Sequence, residues 1–279
     1  DWSSDVCSSD LLPIIITKDP ETDVYNVGIY RMMLRDKTSF CMHWLPQKHG
    51  RKHFEKAEEQ GSNEFPVCVV MSVEPALGLV GAFAVHPPLD EYMVCGALTG
   101  KAVERVKAED SDLMIPATAE IVLEGVVKTK EMVDEGPFGE FHGYYSPVKQ
   151  TPVFHVKKIT MKKDPLLHVA TTGMPPTEIH TMSKAAERFS LYFAQKRNPS
   201  IIDFNLTRES GTLYTMIIAL DKKTPGDGRK MIESMFKAKG QSIFITNVIV
   251  VDGDVDVQDL GQVIWAWSCH CRPEHDVII

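Results

Sequence analysis

A mixed fold, α+β in its first half and α/β in its second, is what this sequence predicts, and three observations carry the expectation. From Leu11 to about Leu167, short β-branched and aromatic runs alternate with Gly, Pro and Asp turns. From Thr177, the residues Met182, Ala185, Ala186, Phe189 and Phe193 recur at helical spacing up to the Asn198-Pro199 stop. Beyond Pro199, strand-like and helix-like segments alternate to the end. The predicted segments are a leader over 1–10, a β-rich domain over 11–176, a connecting helix over 177–199 and an α/β domain over 200–279.

Each element has its own reason. The leader, DWSSDVCSSD, lacks the cationic start and apolar middle of an export signal. It resembles a translated sequencing adapter, so it is set aside as non-native, and Cys7 with it. Strands are expected over 12–16, 24–34, 40–44, 67–73, 120–127 and 153–161. Helices are expected over 51–60 and 75–85, the second opened by a proline at a first-turn position where its missing N–H costs little. Alternation in Glu120-Ile121-Val122-Leu123-Glu124 predicts one buried and one exposed strand face. Asp90-Glu91, after Pro87-Pro88, reads as a loop end facing water. In the second half, strands are expected over 212–220 and 242–251, and helices over 228–239, stopped by Gly240, and 259–268. His275 to Ile279 starts an apolar β-like run, and the chain is read as a fragment cut at both ends.

Composition narrows the function. Lys+Arg 30 against Asp+Glu 38 gives a net charge of -8, with no basic stripe, which excludes a nucleic-acid partner. The most apolar stretch, 65–85, is interrupted by Glu74-Pro75 and is too short to span a bilayer. Six cysteines without scaffold-like spacing predict a reducing compartment, the cytoplasm. Cys269-His270-Cys271 with His275 lacks a second ligand pair at zinc spacing and reads as incidental.

Three constellations bear chemistry. Glu135-Gly-Pro-Phe-Gly-Glu140 sets two carboxylates five apart across a turn, able to face one cleft as an acid and a charged partner. A solvated acidic turn fits the same spacing. Asn26-Val-Gly-Ile-Tyr-Arg31 ends a β-like run with a guanidinium. His43-Trp44-Leu45-Pro46-Gln47-Lys48-His49-Gly50 concentrates imidazole, indole and ammonium beside a glycine where backbone can approach a phosphate, or else forms a polar hairpin. Asn26, His49 and Glu91 together make a reasonable donor set for Mn or Mg.

At these residues the chain resembles the UbiD family of decarboxylases. The shared phrases include Asn26-Val-Gly-Ile-Tyr-Arg31, Met42-His-Trp-Leu, Lys48-His-Gly50 and Asp90-Glu-Tyr with Cys95-Gly-Ala-Leu-Thr-Gly100. Further on come Ile115-Pro-Ala-Thr-Ala-Glu-Ile-Val-Leu-Glu-Gly125, Glu135-Gly-Pro-Phe-Gly-Glu-Phe-His-Gly-Tyr-Tyr145 and Ile249-Val-Val-Asp-Gly-Asp-Val-Asp256. They stand in family order and cover nearly everything from Leu12 onward.

The resemblance implies a split β-barrel flavin-binding domain followed by a connecting helix and a truncated α/β domain. It implies a prenylated FMN cofactor contacted by Ile29, Tyr30, Arg31, His43, Trp44, Leu45, Lys48 and His49. Asn26, His49 and Glu91 resemble the positions that bind a divalent metal, usually manganese, with K+ as a further ion. Arg31, Glu135 and Glu140 look like the catalytic network, with Glu140 as proton donor. Desolvation by Phe138 and Phe141 is expected to raise the pKa of Glu140, and Arg31 to lower that of Glu135. The implied partners are a small carboxylic acid, a flavin prenyltransferase that supplies the cofactor and, at full length, further copies of the chain. The segment 175–182, with His180, bears on the substrate without naming it. Two other readings compete: a non-catalytic flavin- or phosphate-binding module, and a glycoside hydrolase built on Glu135 and Glu140.

Overall fold

In the computed structural model the described residues are 11–140, 142–171, 173–237 and 244–279. The leader, with Cys7, lies outside them, as do Phe141, Gly240 and the start of the strand expected from Ser242. The chain divides into two compact units. The first reaches Gly173 and takes in Thr177–Ile179, and the second comprises Met174–Pro176 and His180–Ile279.

The first unit opens on the β-branched run Ile14–Lys18 (β1), antiparallel to Tyr25–Ile29 (β2) with Ile16 opposite Val27. The single run expected over 24–34 is broken at Tyr30-Arg31. Met32–Asp36 (β3) leaves β2 and pairs with Ser39–Met42 (β4), Met32 opposite Met42. His49–Glu59 (α1) buries Gly50, His53, Phe54 and Ala57, the apolar stripe of an amphipathic helix. Glu64–Met71 (β5) follows, then Pro75–Val80 (α2), which ends five residues earlier than expected with Gly81 as its C-cap.

Glu91–Thr99 (α3) corrects the expectation of a wet loop. Asp90 is its buried N-cap, accepting the Met93 amide at 2.8 Å, and Glu91 is 4% exposed. An Asp-Glu pair just after prolines is itself a helix-start signal. A short ladder of Arg105–Lys107 (β6) and Met114–Pro116 (β7) precedes the long hairpin Ile121–Glu135 (β8) and Lys149–Met161 (β9). The one-wet-face expectation for β8 also fails. Val122, Leu123 and Glu124 are all buried, because the 109–110 loop covers the Glu124 side, where the carboxylate accepts the Glu109 and Asp110 amides at 3.1 and 2.8 Å.

Seven strands form one sheet in the order β2-β1-β5-β8-β9-β4-β3. Laid flat, its edge strands would stand about 29 Å apart. Yet β2 and β3 are consecutive, and three peptide links from Ile29 to Met32 span at most about 11 Å. The sheet therefore curls until its edges approach at Tyr30-Arg31. Among the described residues no ladder joins β2 to β3, so the sheet stays open. Its core gathers Ile15, Met42, Trp44, Phe54, Val67 and Phe154.

Glu178–Arg197 (α4) belongs to the second unit from His180 onward and packs there as a layer. Leu191 and Ala194 pack on the cluster of Ile218, Leu220 and Met231. Its buried Glu187 accepts Lys184 Nζ and Arg188 Nη2, both at 2.6 Å, and the Leu206 amide at 2.5 Å. Ile201–Leu206 (β10), not expected from sequence, is antiparallel to Thr215–Leu220 (β11). Asp203 and Asn205 had hidden it, but Asn205 is buried with its amide donating to Val257 O at 2.6 Å. Asp227–Lys237 (α5) then crosses over to Asn247–Asp252 (β12), parallel to β11. Leu260–His270 (α6) is capped by Asp259, which accepts the Gly261 and Gln262 amides. The β-like ending expected from His275 is instead a helical turn, Pro273–Asp276 (α7), closed by the Arg272 amide on Asp276 at 2.8 Å. Among the described residues no helix is long and apolar enough to cross a membrane.

Candidate active site

Arg31 occupies the place where the sheet edges meet, and Glu135 is the last residue of β8. The turn after Glu135 contains a cis Gly136-Pro137 bond and is fastened by the Ser146 amide on Phe138 O at 2.7 Å and the Glu140 amide on Tyr144 O at 2.9 Å. The chain thereby folds back and brings Glu140 to the same guanidinium as Glu135. Arg31 Nε and Nη2 donate to the two oxygens of Glu135 at 3.0 and 3.1 Å, and Nη1 donates to Glu140 Oε1. The solvated-turn alternative does not survive, since Glu135 is 1% exposed. Burial pushes the Glu135 carboxyl up, but hydrogen bonds from His43 and Arg31 outweigh it and hold the net pKa below the usual range.

Arg31 serves Glu140 as well as Glu135, because its fork has donors to spare. Phe138 lies against the Arg31 guanidinium, 4.8 Å from ring centre to Cζ, a cation–π contact that shields the base of the cluster. Phe141 is outside the described residues.

A second cluster surrounds the start of α1. Asn26 is buried on β2, its Oδ1 accepting the Tyr30 hydroxyl at 2.6 Å. Glu91 Oε2 accepts the amide of the neighbouring Val27 at 2.8 Å, and burial pushes its carboxyl up to about 7. His49 is the first residue of α1, its ring edge-on to His86 at 6.0 Å. Burial, then the charges of Lys52, His86 and Lys48, push its pKa down and favour the neutral, ligating form. Gly50 closes the cluster. A Cβ there would stand 2.9 Å from Trp44 Nε1 and 3.4 Å from Asn26 Oδ1. Trp44 Nε1 is buried without a hydrogen-bond partner among the described residues, and α1 has no side-chain cap and no acidic residue in its first turn.

The other expected contact residues fall between these clusters: Ile29 and Leu45 are half-buried, Tyr30 buried and Lys48 the exposed N-cap of α1. A cavity of about 410 Å³ opens beside them, lined by His43, Trp44, Leu45, Arg51, Lys149 and Thr151 among others. His43 has a contact that sequence reasoning does not supply: its Nδ1 lies 2.5 Å from Glu135 Oε2. No local signal gives this, because the contact needs β4 to pair with β9, and β9 with β8. His180 is buried in the first turn of α4, and burial lowers its pKa. Among the described residues no group of three or more His, Cys, Asp or Glu could hold a metal, Cys269 and Cys271 included.

Comparison with known proteins identifies the family. The family model described as the 3-octaprenyl-4-hydroxybenzoate carboxy-lyase Rift-related domain matches residues 2–175, and that of the C-terminal domain of the same enzyme matches 180–279. The chain belongs to the UbiD family. An uncharacterized protein of Archaeoglobus fulgidus is 37% identical over 278 residues, covering 100% of this chain and 58% of that protein. The evolved dimeric form of the UbiD-class enzyme HmfF from Pelotomaculum thermopropionicum, solved with prFMN, is 31% identical, with a TM-score of 0.82 over 96% of this chain and 61% of that one. Vanillic acid decarboxylase of Sedimentibacter hydroxybenzoicus, in its closed form, is 27% identical, with a TM-score of 0.84 over 95% of this chain and 56% of that one. The chain thus spans little more than half the length of the UbiD relatives it matches.

Proposed function

We propose that the protein is a carboxy-lyase that removes CO2, reversibly, from an aromatic or α,β-unsaturated carboxylic acid with prenylated FMN as cofactor. The observation that carries this reading is the grip of one guanidinium on two carboxylates of unequal exposure, Glu135 at 1% and Glu140 at 28%. A binding module has no use for that arrangement, and a glycosidase pair gives no reason for the second cluster around α1. The curled, open sheet suits the split-barrel reading.

The residues around α1 fit the phosphate end of such a cofactor. An uncapped helix start, the unpartnered Trp44 indole N–H and the space left by Gly50 form an anion cradle. Beside it Asn26, Glu91 and His49 offer amide oxygen, carboxylate and imidazole, a set suited to a divalent ion such as Mn2+, with K+ as a further candidate. A cation there would keep the buried Glu91 ionised. Ile29, Tyr30, Leu45 and Lys48 line the way from this cradle to Arg31.

When bound, prenylated FMN supplies the electron sink that allows CO2 to leave. The chain's own residues supply the rest. Glu140, the more accessible carboxyl, delivers the proton to the carbon that has lost CO2. Glu135 stays ionised under Arg31 and His43 and keeps the guanidinium within reach of Glu140. Arg31 remains charged throughout and cannot itself give up a proton.

The proposal extends to a flavin prenyltransferase as cofactor supplier, a homo-oligomer at full length and a cytoplasmic location. Co-expression of the protein, extended to the length of its relatives, with a flavin prenyltransferase tests it. Aromatic and cinnamic-type acids should release CO2 from protein showing a bound-flavin spectrum, and Glu140→Gln should lower that rate by about a hundredfold or more. Flavin-loaded protein that releases CO2 from none of them overturns the reading.

A further inference from the structure

We infer that His43 is a positioning residue for Glu135: its imidazole, together with Arg31, fixes the Glu135 carboxylate, leaving the guanidinium free to follow the charge state of Glu140. The inference rests on the proposed decarboxylase reading for its purpose, and on geometry for its content.

His43 Nδ1 stands 2.5 Å from Glu135 Oε2 and 3.0 Å from Arg31 Nη2. A carboxylate only accepts and a guanidinium only donates, so one ring nitrogen cannot serve both. The shorter contact assigns the proton: Nδ1–H donates to Glu135, and the Arg31 contact is a neighbour distance. Oε2 then receives two donors, His43 Nδ1 and Arg31 Nη2, while Oε1 receives Arg31 Nε. The side chains are 17% exposed for His43 and 1% for Glu135, so little water reaches the bond.

Charge explains why a third member is needed. With both carboxylates ionised, Arg31 alone leaves one negative charge uncompensated in a largely buried cluster. Glu140 alternates between protonated and ionised as it gives up its proton, and each change pulls on Arg31 Nη1. A donor that holds Glu135 alongside Arg31 separates the two carboxylates. The other groups that face Glu135 are Lys149, opposite it in the β8–β9 register, and the Cys41 thiol on β4, whose own pKa is raised by burial and, in smaller part, by Glu135.

The test pairs His43→Asn, which sets an amide donor near the Nδ1 position, with His43→Gln, which sets it near Nε2. Carbon-13 NMR of glutamate-labelled protein, with Glu135 assigned through Glu135→Gln, follows its titration directly and needs no turnover. Glu135 is expected to titrate about one pH unit higher in His43→Gln than in the parent, with His43→Asn restoring most of the difference. In protein that decarboxylates, the acidic limb of the kcat profile should move likewise. An unmoved Glu135 titration in His43→Gln overturns the inference, as does a change confined to flavin affinity, which would make His43 a cofactor contact alone. Failure of every acid to release CO2 counts against the proposed function, and the NMR titration still decides the role of His43.

Discussion

Glu135 takes both Nε and Nη2 of Arg31, at 3.0 and 3.1 Å, from a residue 104 positions earlier in the chain. The carboxylate is buried, so removing the cation leaves a charge that water cannot reach. Arg31→Met is expected to destabilise the first unit by about 3 kcal/mol. Arg31→Met with Glu135→Leu should recover most of it, because an apolar pair of similar volume replaces the ions. Urea denaturation of the two variants measures this, and a loss below about 1 kcal/mol in the single variant would contradict burial of the pair.

The cradle at α1 gives a second prediction. Gly50→Ala puts a methyl 2.9 Å from Trp44 Nε1, inside the space assigned to the cofactor phosphate. Neither the indole nor the helix start can yield easily, so affinity for FMN should fall by at least about tenfold, roughly 1.4 kcal/mol. Fluorescence titration with FMN and with riboflavin separates the cause. The loss should appear for FMN and be absent for riboflavin, which has no phosphate.

A third prediction concerns the hairpin. At Gly125, where the β8–β9 register shifts, an added Cβ would collide with the backbone carbonyl of His155. Backbone cannot step aside as a flexible side chain can, so Gly125→Ala should lower stability by about 3 kcal/mol. A calorimetric melting temperature equal to that of the parent would show that the bulge relaxes.

His53 sets a pH dependence. Burial pushes its pKa down to about 4, with the Asp19 charge opposing and His49 and Lys56 assisting, while Thr17 Oγ1 lies 3.0 Å from Nδ1. The unfolded chain, with an ordinary imidazole near 6.5, binds the proton first. Stability from this group is therefore complete above about pH 6.5 and is lost as pH falls towards 4. His53→Asn, which keeps a partner for Thr17 but does not titrate, should melt with a shallower decline between pH 7 and 4.5. Equal declines would remove His53 as the cause.

Much of the fold was legible in the sequence, for identifiable reasons. β1, β5 and β11 are dense in β-branched residues, and α1 shows its stripe openly. The break at Tyr30-Arg31 was hidden, because neither glycine nor proline marks it. The outer half of β8, Lys128 to Glu135, was hidden by its polarity, since that ribbon is partly solvated and earns no apolar signature. In the site, the spacing of Glu135 and Glu140 announced a pair, and Asn26, His49 and Glu91 suggested an ion. The bond from His43 to Glu135 was not legible, because it depends on the pairing of three strands, and only their registers reveal it.

The seam in the sheet carries one more consequence. Arg31 can reach Glu135 only after strands from both halves of the first unit have been laid down and rolled together, so this contact is expected to form late in folding. Interactions made that late stabilise the native state without helping the chain reach it. Loss of the arginine should then hasten unfolding and leave refolding speed nearly untouched, so the group at the centre of the candidate site should also act as the latch on the finished domain.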